Sequence, residues 1–330
     1  MPAIDFAVRQ MVEGDFEAVA EIEAGVFTDW YRMNRKPQDP MAERTSRELR
    51  FATSFDPAGN LVAVASEGAI VGFIFSRTWG SVGWFGTFGV PTQLQGMGIG
   101  RELASRVAEY LRANSRTVGL ETMPESGANI GLYTRLGFRL AYPTAVLELP
   151  LIREAERMKG LRADEVRTWD GRSARERARL LGEARAIGDA ILPGLDYTRE
   201  IVAIREHGFG ETFVSEDEGG ALEGFAVVRT EPFRKGDAGG RAYLHILAIH
   251  PDAEAGRVLS DLLRQVWARV ADRGYAKLIT GANGRYARAL ALLAGHGFRA
   301  VRAAIRMAHD ASAPEFFAPS NAITLSRWAG

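Results

Sequence analysis

The chain nearly repeats itself, and that restricts its fold more than any other feature. AIVGFIFSR (69–77) returns as ALEGFAVVR (221–229), with Gly72 matched by Gly224. The strand ending Val90-Pro91 returns as YLHILAIHP (243–251), and TRLGFRLA (134–141) returns as AGHGFRAV (294–301). Pro91 to Pro251 and Gly137 to Gly297 both span 160 residues, so the stretch between them aligns without a gap. Gly72 to Gly224 spans 152, and the difference falls in the loop TEPFRKGDAGG. A period this long corresponds to whole domains rather than to a solenoid repeat. The 330 residues leave room for two domains of ordinary size, roughly 100–200 residues each. The expected division is 1–150 and 164–310, joined near 150–163, with a tail at 311–330.

Within the first copy, IDFAVRQMVEGDF reads as a short strand followed by a helix start, with Asp15 as the N-cap and Phe16, Val19, Ala20 and Ile22 as the helix's apolar stripe. A Pro-broken stretch, TDWYRMNRKPQDP, leads to a second helix around 41–54. LVAVAS (61–66) and IVGFIFSRTWG (70–80) form a hairpin, and VGWFGTFGV (82–90) is a third strand ending at Pro91. A helix over 101–113, a strand over 117–122, a helix over 128–136 and the strand AVLELPL complete the copy. The second copy opens with strand, turn and helix over 166–188. Strands that first run together and then alternate with helices specify an α/β class with a mixed sheet covered on both faces.

Composition excludes several functions. A 46% hydrophobic content supports a large core. The 41 basic and 41 acidic residues cancel, which removes the general electrostatic argument for nucleic acid or an anionic membrane. No apolar run approaches the ~18–20 residues of a membrane span, and MPAIDFAVRQ lacks the layout of a signal peptide. The absence of cysteine excludes thiolate metal sites and cysteine nucleophiles, and no His/Asp/Glu cluster has ligand spacing. A cytoplasmic, metal-free protein is expected, monomeric or homodimeric. Only four basic residues are lysine, and the arginines are scattered over both halves, which reads as codon bias.

Chemistry concentrates in Gln95-Gly96-Met97-Gly98-Ile99-Gly100-Arg101, between a strand and a helix start. A glycine-rich turn at a helix N-terminus leaves backbone N–H groups and the positive end of the helix dipole facing outward, a combination suited to phosphate. Arg101 stands where a dinucleotide-binding G-x-G-x-x-G needs its last glycine, and the Gly-Lys-Ser/Thr of a P-loop is absent.

Gln95-x-x-Gly98-x-Gly100 after a Val-Pro strand end resembles the acyl-CoA pyrophosphate loop of the GNAT superfamily of N-acyltransferases. Asn129, Tyr133 and Gly137-Phe138 are similar to that superfamily's Asn…Tyr…Gly-Phe helix. The resemblance covers the first copy and implies two tandem GNAT-like domains. It implies that the amides of 95–101 hold the pyrophosphate of acetyl-CoA and that Phe88 and Val90 offer backbone groups to its pantetheine arm. It further implies that Asn129 contacts the cofactor and that Tyr133 protonates the departing thiolate, the alternative for Tyr133 being a packed helix aromatic. Glu121 is a candidate proton acceptor or a carboxylate held in a salt bridge. Asp29, Trp30 and Tyr31 fall where the family shapes its acceptor site, and the C-terminal tail could lend a group. In the second copy Gln95, Gly98, Gly100, Asn129 and Tyr133 become Ala255, Val258, Ser260, Ala289 and Leu293. That copy is expected not to bind acyl-CoA and to serve as scaffold or acceptor wall. The acceptor implied is an amine, a small molecule rather than a protein; the alternative function is an acyl-CoA-binding sensor or interaction module without catalysis.

Overall fold

The computed structural model describes residues 4–35, 39–151, 166–232, 234–236 and 239–326. The expected joint at 150–163 lies almost wholly outside them, as do residues 327–330. The first half runs β1 (Phe6–Gln10), α1 (Phe16–Asn34), α2 (Ser46–Ser54), β2 (Leu61–Ala65), β3 (Ile70–Trp79), β4 (Val82–Gly89), α3 (Ile99–Asn114), β5 (Thr117–Thr122), α4 (Gly127–Arg135) and β6 (Phe138–Pro150). The second runs α5 (Ala174–Ile191), α6 (Thr198–Glu206), β7 (Gly210–Glu216), β8 (Leu222–Arg229), β9 (Arg241–Ile249), α7 (Ala255–Asp272), β10 (Lys277–Asn283), α8 (Ala287–Gly295), β11 (Arg299–His309) and β12 (Ile323–Ser326). The class is mixed α/β. Among the described residues no helix is long and apolar enough to cross a membrane.

Two local expectations are corrected. Asp15 does not cap α1 with its side chain. It pairs with Arg9 at 2.7 Å and accepts the Val12 N–H at 2.8 Å, closing a 3₁₀ turn ahead of the helix. The strand expected at 166 shrinks to one bridge, Thr168 to Phe213, because the Thr168 hydroxyl accepts the Gly171 N–H and turns the chain away.

The larger difference is that the repeat does not close as two separate sheets. Strand order is β1-β2-β3-β4-β5-β11-β6-β10-β9-β8-β7, with β12 beside β9. The last long strand of each half crosses over: β11 pairs with β5 from Ile305–Thr122 to Ala308–Gly119, and β6 pairs with β10 from Lys277–Pro150 to Asn283–Thr144. At 13 residues, β6 is long enough to pair with β11 on its other edge over most of the same length. Gly72 and Gly224 do the same work in the two halves. A Cβ on Gly72 would lie 3.0 Å from Ile99 of α3, and one on Gly224 would lie 2.8 Å from Val258 of α7. Each glycine therefore lets a helix sit close on the sheet.

The halves also clasp one another reciprocally. Arg77 of β3 reaches Glu200 of α6 at 3.0 Å, and Arg229 of β8 reaches Glu48 of α2. Arg47 donates to the Gly208 carbonyl at 2.7 Å and Arg199 to the Ser54 carbonyl at 3.1 Å. The equivalent residues Arg77 and Arg229, Glu48 and Glu200, and Arg47 and Arg199 each stand 152 residues apart in sequence, the spacing of Gly72 and Gly224. The clasp thus has the symmetry of an isologous dimer interface. Glu200 is fully buried, and the His245 ring lies 3.2 Å from it. Arg77 and His245 hold the Glu200 carboxyl down at about 2 against the opposing effect of burial, while burial pushes the His245 ring below its ordinary value.

Both depressed values make the unfolded chain bind more protons than the folded one, so stability rises with pH through each window. We expect stability to fall on acidification below the ordinary histidine value of about 6.5, and again from the glutamate value of 4.5 towards about 2. Glu200→Gln leaves Arg77 without its counter-charge, which costs about 3–5 kcal/mol at pH 7 and flattens the acid limb. Urea unfolding from pH 7 to pH 3 reads both effects.

Candidate active site

Strands β4 and β5 are parallel and pair only from Val82–Thr117 to Phe85–Leu120. Beyond that point β4 stays on β3, through Ile74–Phe88 and Phe73–Gly89, while β5 stays on β11. The two strands splay, and a cleft of about 1100 Å³ passes between them. One side of the sheet is closed by α3 and α4 over Ile74, Phe85, Val118 and Leu120, and the other by α1 and α2 over Val62, Phe73 and Phe75. The cleft therefore connects the two faces. The β5-facing edge of residues 86–89 is left without a strand partner, so its backbone groups are available to a ligand.

At the α3 face the glycine loop closes the end of the cleft. Gly96 and Gly98 have φ of +84° and +88°, a conformation that favours glycine. The first intrahelical bond of α3 is Glu102 N–H to the Gly98 carbonyl, so the amides of 99, 100 and 101 lie ahead of the ladder. Among the described residues no acceptor meets the N–H groups of Gly96 through Arg101. Gln95 differs, since its N–H donates to the Thr92 carbonyl and its side chain donates to the Val90 carbonyl at 3.1 Å, fixing the loop to the strand end. Gly100 needs its missing side chain: a Cβ would come within 2.9 Å of the Phe88 ring.

The equivalent helix of the second half is already occupied by its own sequence. α7 is capped by Glu254, whose carboxylate accepts the Gly256 N–H at 3.0 Å and the Arg257 N–H at 2.6 Å. Ala255, Val258, Ala289 and Leu293 are all buried in the core. Ser260 bonds the Gly256 carbonyl at 2.7 Å and the His296 ring at 3.0 Å.

Helix α4 lines the same cleft with Asn129 and Tyr133. The Tyr133 ring is 4% exposed and packs edge-on to Phe85, 5.7 Å between centroids, and against Phe138. Among the described residues its hydroxyl has no hydrogen-bond partner, and burial pushes its pKa above the ordinary tyrosine value. The phenol therefore stays protonated through neutral pH.

At the α1 face the wall is aromatic and arginine-rich. Trp30 and Tyr31 line it, whereas Asp29 turns away to accept the Thr92 hydroxyl at 3.1 Å. Arg35 lies over both rings and pairs with Glu125 across the mouth at 3.2 Å. Glu23, almost fully buried, sits between Arg44 and Arg234 at 2.9 Å each, and Arg44 also reaches the Thr87 hydroxyl at 2.8 Å. Glu121 is held by Arg306 of β11 at 2.7 Å and by the Thr144 hydroxyl, all through Oε1. Its Oε2 accepts no hydrogen bond among the described residues. The described part of the tail lines none of the cleft; Phe316 instead packs on Trp84.

Sequence reading singles out the α3 face, Glu121, Trp30 and Tyr31 but misses Glu23, Arg234, Arg302 and Arg306. Arg302 lines the cleft, and the buried Arg306 reaches Glu121 in its wall, only because β11 crosses into the first half; at the 160-residue spacing they answer Tyr142 and Val146, which carry no such chemistry. Among the described residues no three of His, Asp and Glu converge as metal ligands.

Residues 24–138 match the acetyltransferase (GNAT) family. This part of the chain is a GNAT domain. A mycothiol acetyltransferase of Arthrobacter sp. (strain FB24) is 35% identical over 140 residues, 40% of this chain and 42% of that protein. The chain thus spans about two fifths of that relative's length. The whole fold is shared with a putative acetyltransferase from Pyrococcus horikoshii (TM-score 0.68, 18% identity, 98% and 95% of the two chains). It is also shared with a tandem GNAT protein from the clavulanic acid biosynthesis pathway (TM-score 0.61, 15% identity, 94% and 99%). These likenesses establish a tandem GNAT fold over both halves.

The left-handed GNAT loop carries a direct stability signature. No atom lies within 4 Å of a Cβ built on Gly98 or on Gly127, but only Gly98 has positive φ. We expect Gly98→Ala to cost about 1–3 kcal/mol in urea unfolding from backbone strain alone. Gly127→Ala, the matched control, should change stability by less than about 1 kcal/mol.

Proposed function

We infer that the chain is an N-acetyltransferase that uses acetyl-CoA, with one working site built on residues 1–150. Residues 164–310 act as scaffold and acceptor wall. The observation that carries this reading is the run of unengaged amides at the start of α3, opening onto splayed strands that lead to the Tyr133 hydroxyl. Amides of 96–101 hold the pyrophosphate, with Asn129 at its side. The free edge of β4 near Phe88 and Val90 receives the pantetheine arm as a further strand. Its N–H groups also stabilise the oxygen of the tetrahedral intermediate.

The amine enters from the α1 face and gives up one proton to Glu121 Oε2, directly or through water. Its lone pair attacks the thioester carbonyl, the C–S bond breaks, and the thiolate takes the proton of Tyr133. The nitrogen's remaining excess proton returns the phenol to its starting state, so one proton is released for each ammonium acetylated. No covalent enzyme intermediate is needed, consistent with a chain that has no cysteine. The acceptor is a small amine, since the cleft is walled by both halves. The relative's name makes a mycothiol-type acceptor one worth assaying.

A specific observation favours the second reading, a non-catalytic acyl-CoA sensor: Glu23, Glu121 and Glu125 are all engaged by arginine. Thiol release in an amine screen with acetyl-CoA separates the two. We expect saturable acetyl-CoA binding that is lost in Gly98→Trp. Tyr133→Phe should keep acetyl-CoA affinity within about twofold while lowering kcat by roughly 10²-fold or more. Full turnover in both variants would overturn the site assignment, and binding without any turnover would favour the sensor.

A further inference from the structure

We propose that the acceptor carries a carboxylate, and that Arg302 is the residue that selects it. This rests on the transferase reading above and names the substrate class of the same site. Arg302 stands on β11 where the register against β6 shifts, and its strand continues past the end of β5 towards the cleft mouth. It is half-buried, lines the cleft, and donates through Nη1 to the Tyr31 hydroxyl at 3.2 Å. Among the described residues it pairs with no carboxylate.

Every acidic side chain that lines the chamber is already compensated: Glu23 by Arg44 and Arg234, Glu121 by Arg306, and Glu125 by Arg35. The chamber therefore has an excess of positive charge: among the described residues Arg101, Arg135 and Arg302 line it without a carboxylate partner, and of these Arg101 on α3 and Arg135 on α4 are exposed while Arg302 is half-buried and stands at the α1 face. A half-buried guanidinium with open N–H groups is matched by a carboxylate, whose two oxygens fit its planar fork. The phosphates of the donor do not supply this anion. Their site is the α3 N-terminus on the far face of the sheet, whereas Arg302 is tied to Tyr31 of α1 on the near face. Tyr31 and Trp30 complete an aromatic wall beside the guanidinium, so an amine with a carboxylate and a modest apolar side chain fits best. Polycationic acceptors are disfavoured by the same charge excess.

The test uses the full chain and matched acceptors that differ only in the carboxylate: alanine against ethylamine, phenylalanine against phenethylamine, and lysine against cadaverine. Thiol release from acetyl-CoA is the readout. We expect kcat/KM to be about 10–100-fold higher for the carboxylate-bearing member of at least one pair, carried in KM. Arg302→Gln should reduce that ratio to about threefold or less, Arg302→Lys should restore part of it, and the KM for acetyl-CoA should hold in both. Thiol release with no carboxylate preference, or a preference that survives Arg302→Gln, overturns the assignment of Arg302 and leaves the transferase reading standing. Thiol release with no amine at all overturns the transferase reading and this proposal with it.

Discussion

The site depends on one strand pairing, that of β11 with β5. β5 is bound on one edge by β4 for only part of its length and on the other by a strand from the opposite half of the chain. That second partner lets β5 leave β4 without exposing both of its edges, because each buried backbone group still needs a hydrogen bond. The same pairing sets Arg306 opposite Glu121 and carries Arg302 to the cleft mouth. The first half of the chain therefore does not hold its site alone, although its sequence contains every recognisable motif. The reciprocal clasp of Arg77 with Glu200 and Arg229 with Glu48 holds the exchange from the other end of the sheet. Its buried charges depend on their partners, which ties the packing of one half to the integrity of the other.

A duplicated fold starts with two equivalent helix N-termini, and this chain has resolved them in opposite ways. At α3 the glycines at 96 and 98 adopt positive φ and the first amides stay open. At α7 the carboxylate of Glu254 occupies the position an anionic ligand would take, and Val258 seals the helix onto Gly224 of the sheet. The energetic logic is the same in both, since orphan N–H groups at a helix start must be satisfied. What differs is whether the protein or a ligand satisfies them.

Much of this was legible from sequence. The hairpin, the α3 loop and the α4 helix follow from periodicity and glycine placement, and Gly72 and Gly224 mark the same helix-to-sheet contact twice. Strand exchange was not legible, because β6 and β11 have the same pattern whichever neighbour they pair with, and a pairing partner is not written in a strand's own alternation. The arginines of the cleft's α1 face were hidden for the same reason. Arg302 and Arg306 look like any of the scattered arginines until topology brings them to Tyr31 and Glu121. The clasp does leave one signal in the sequence: the spacing that relates Gly72 to Gly224 also relates Arg77 to Arg229 and Glu48 to Glu200, so charges shared by the copies mark it.

The central claim is that one of two duplicated helix N-termini receives the acyl donor while the other is closed by its own glutamate. Calorimetric titration of the intact chain with acetyl-CoA measures this as a stoichiometry. The account predicts one equivalent bound per chain; two equivalents, or none, would contradict it.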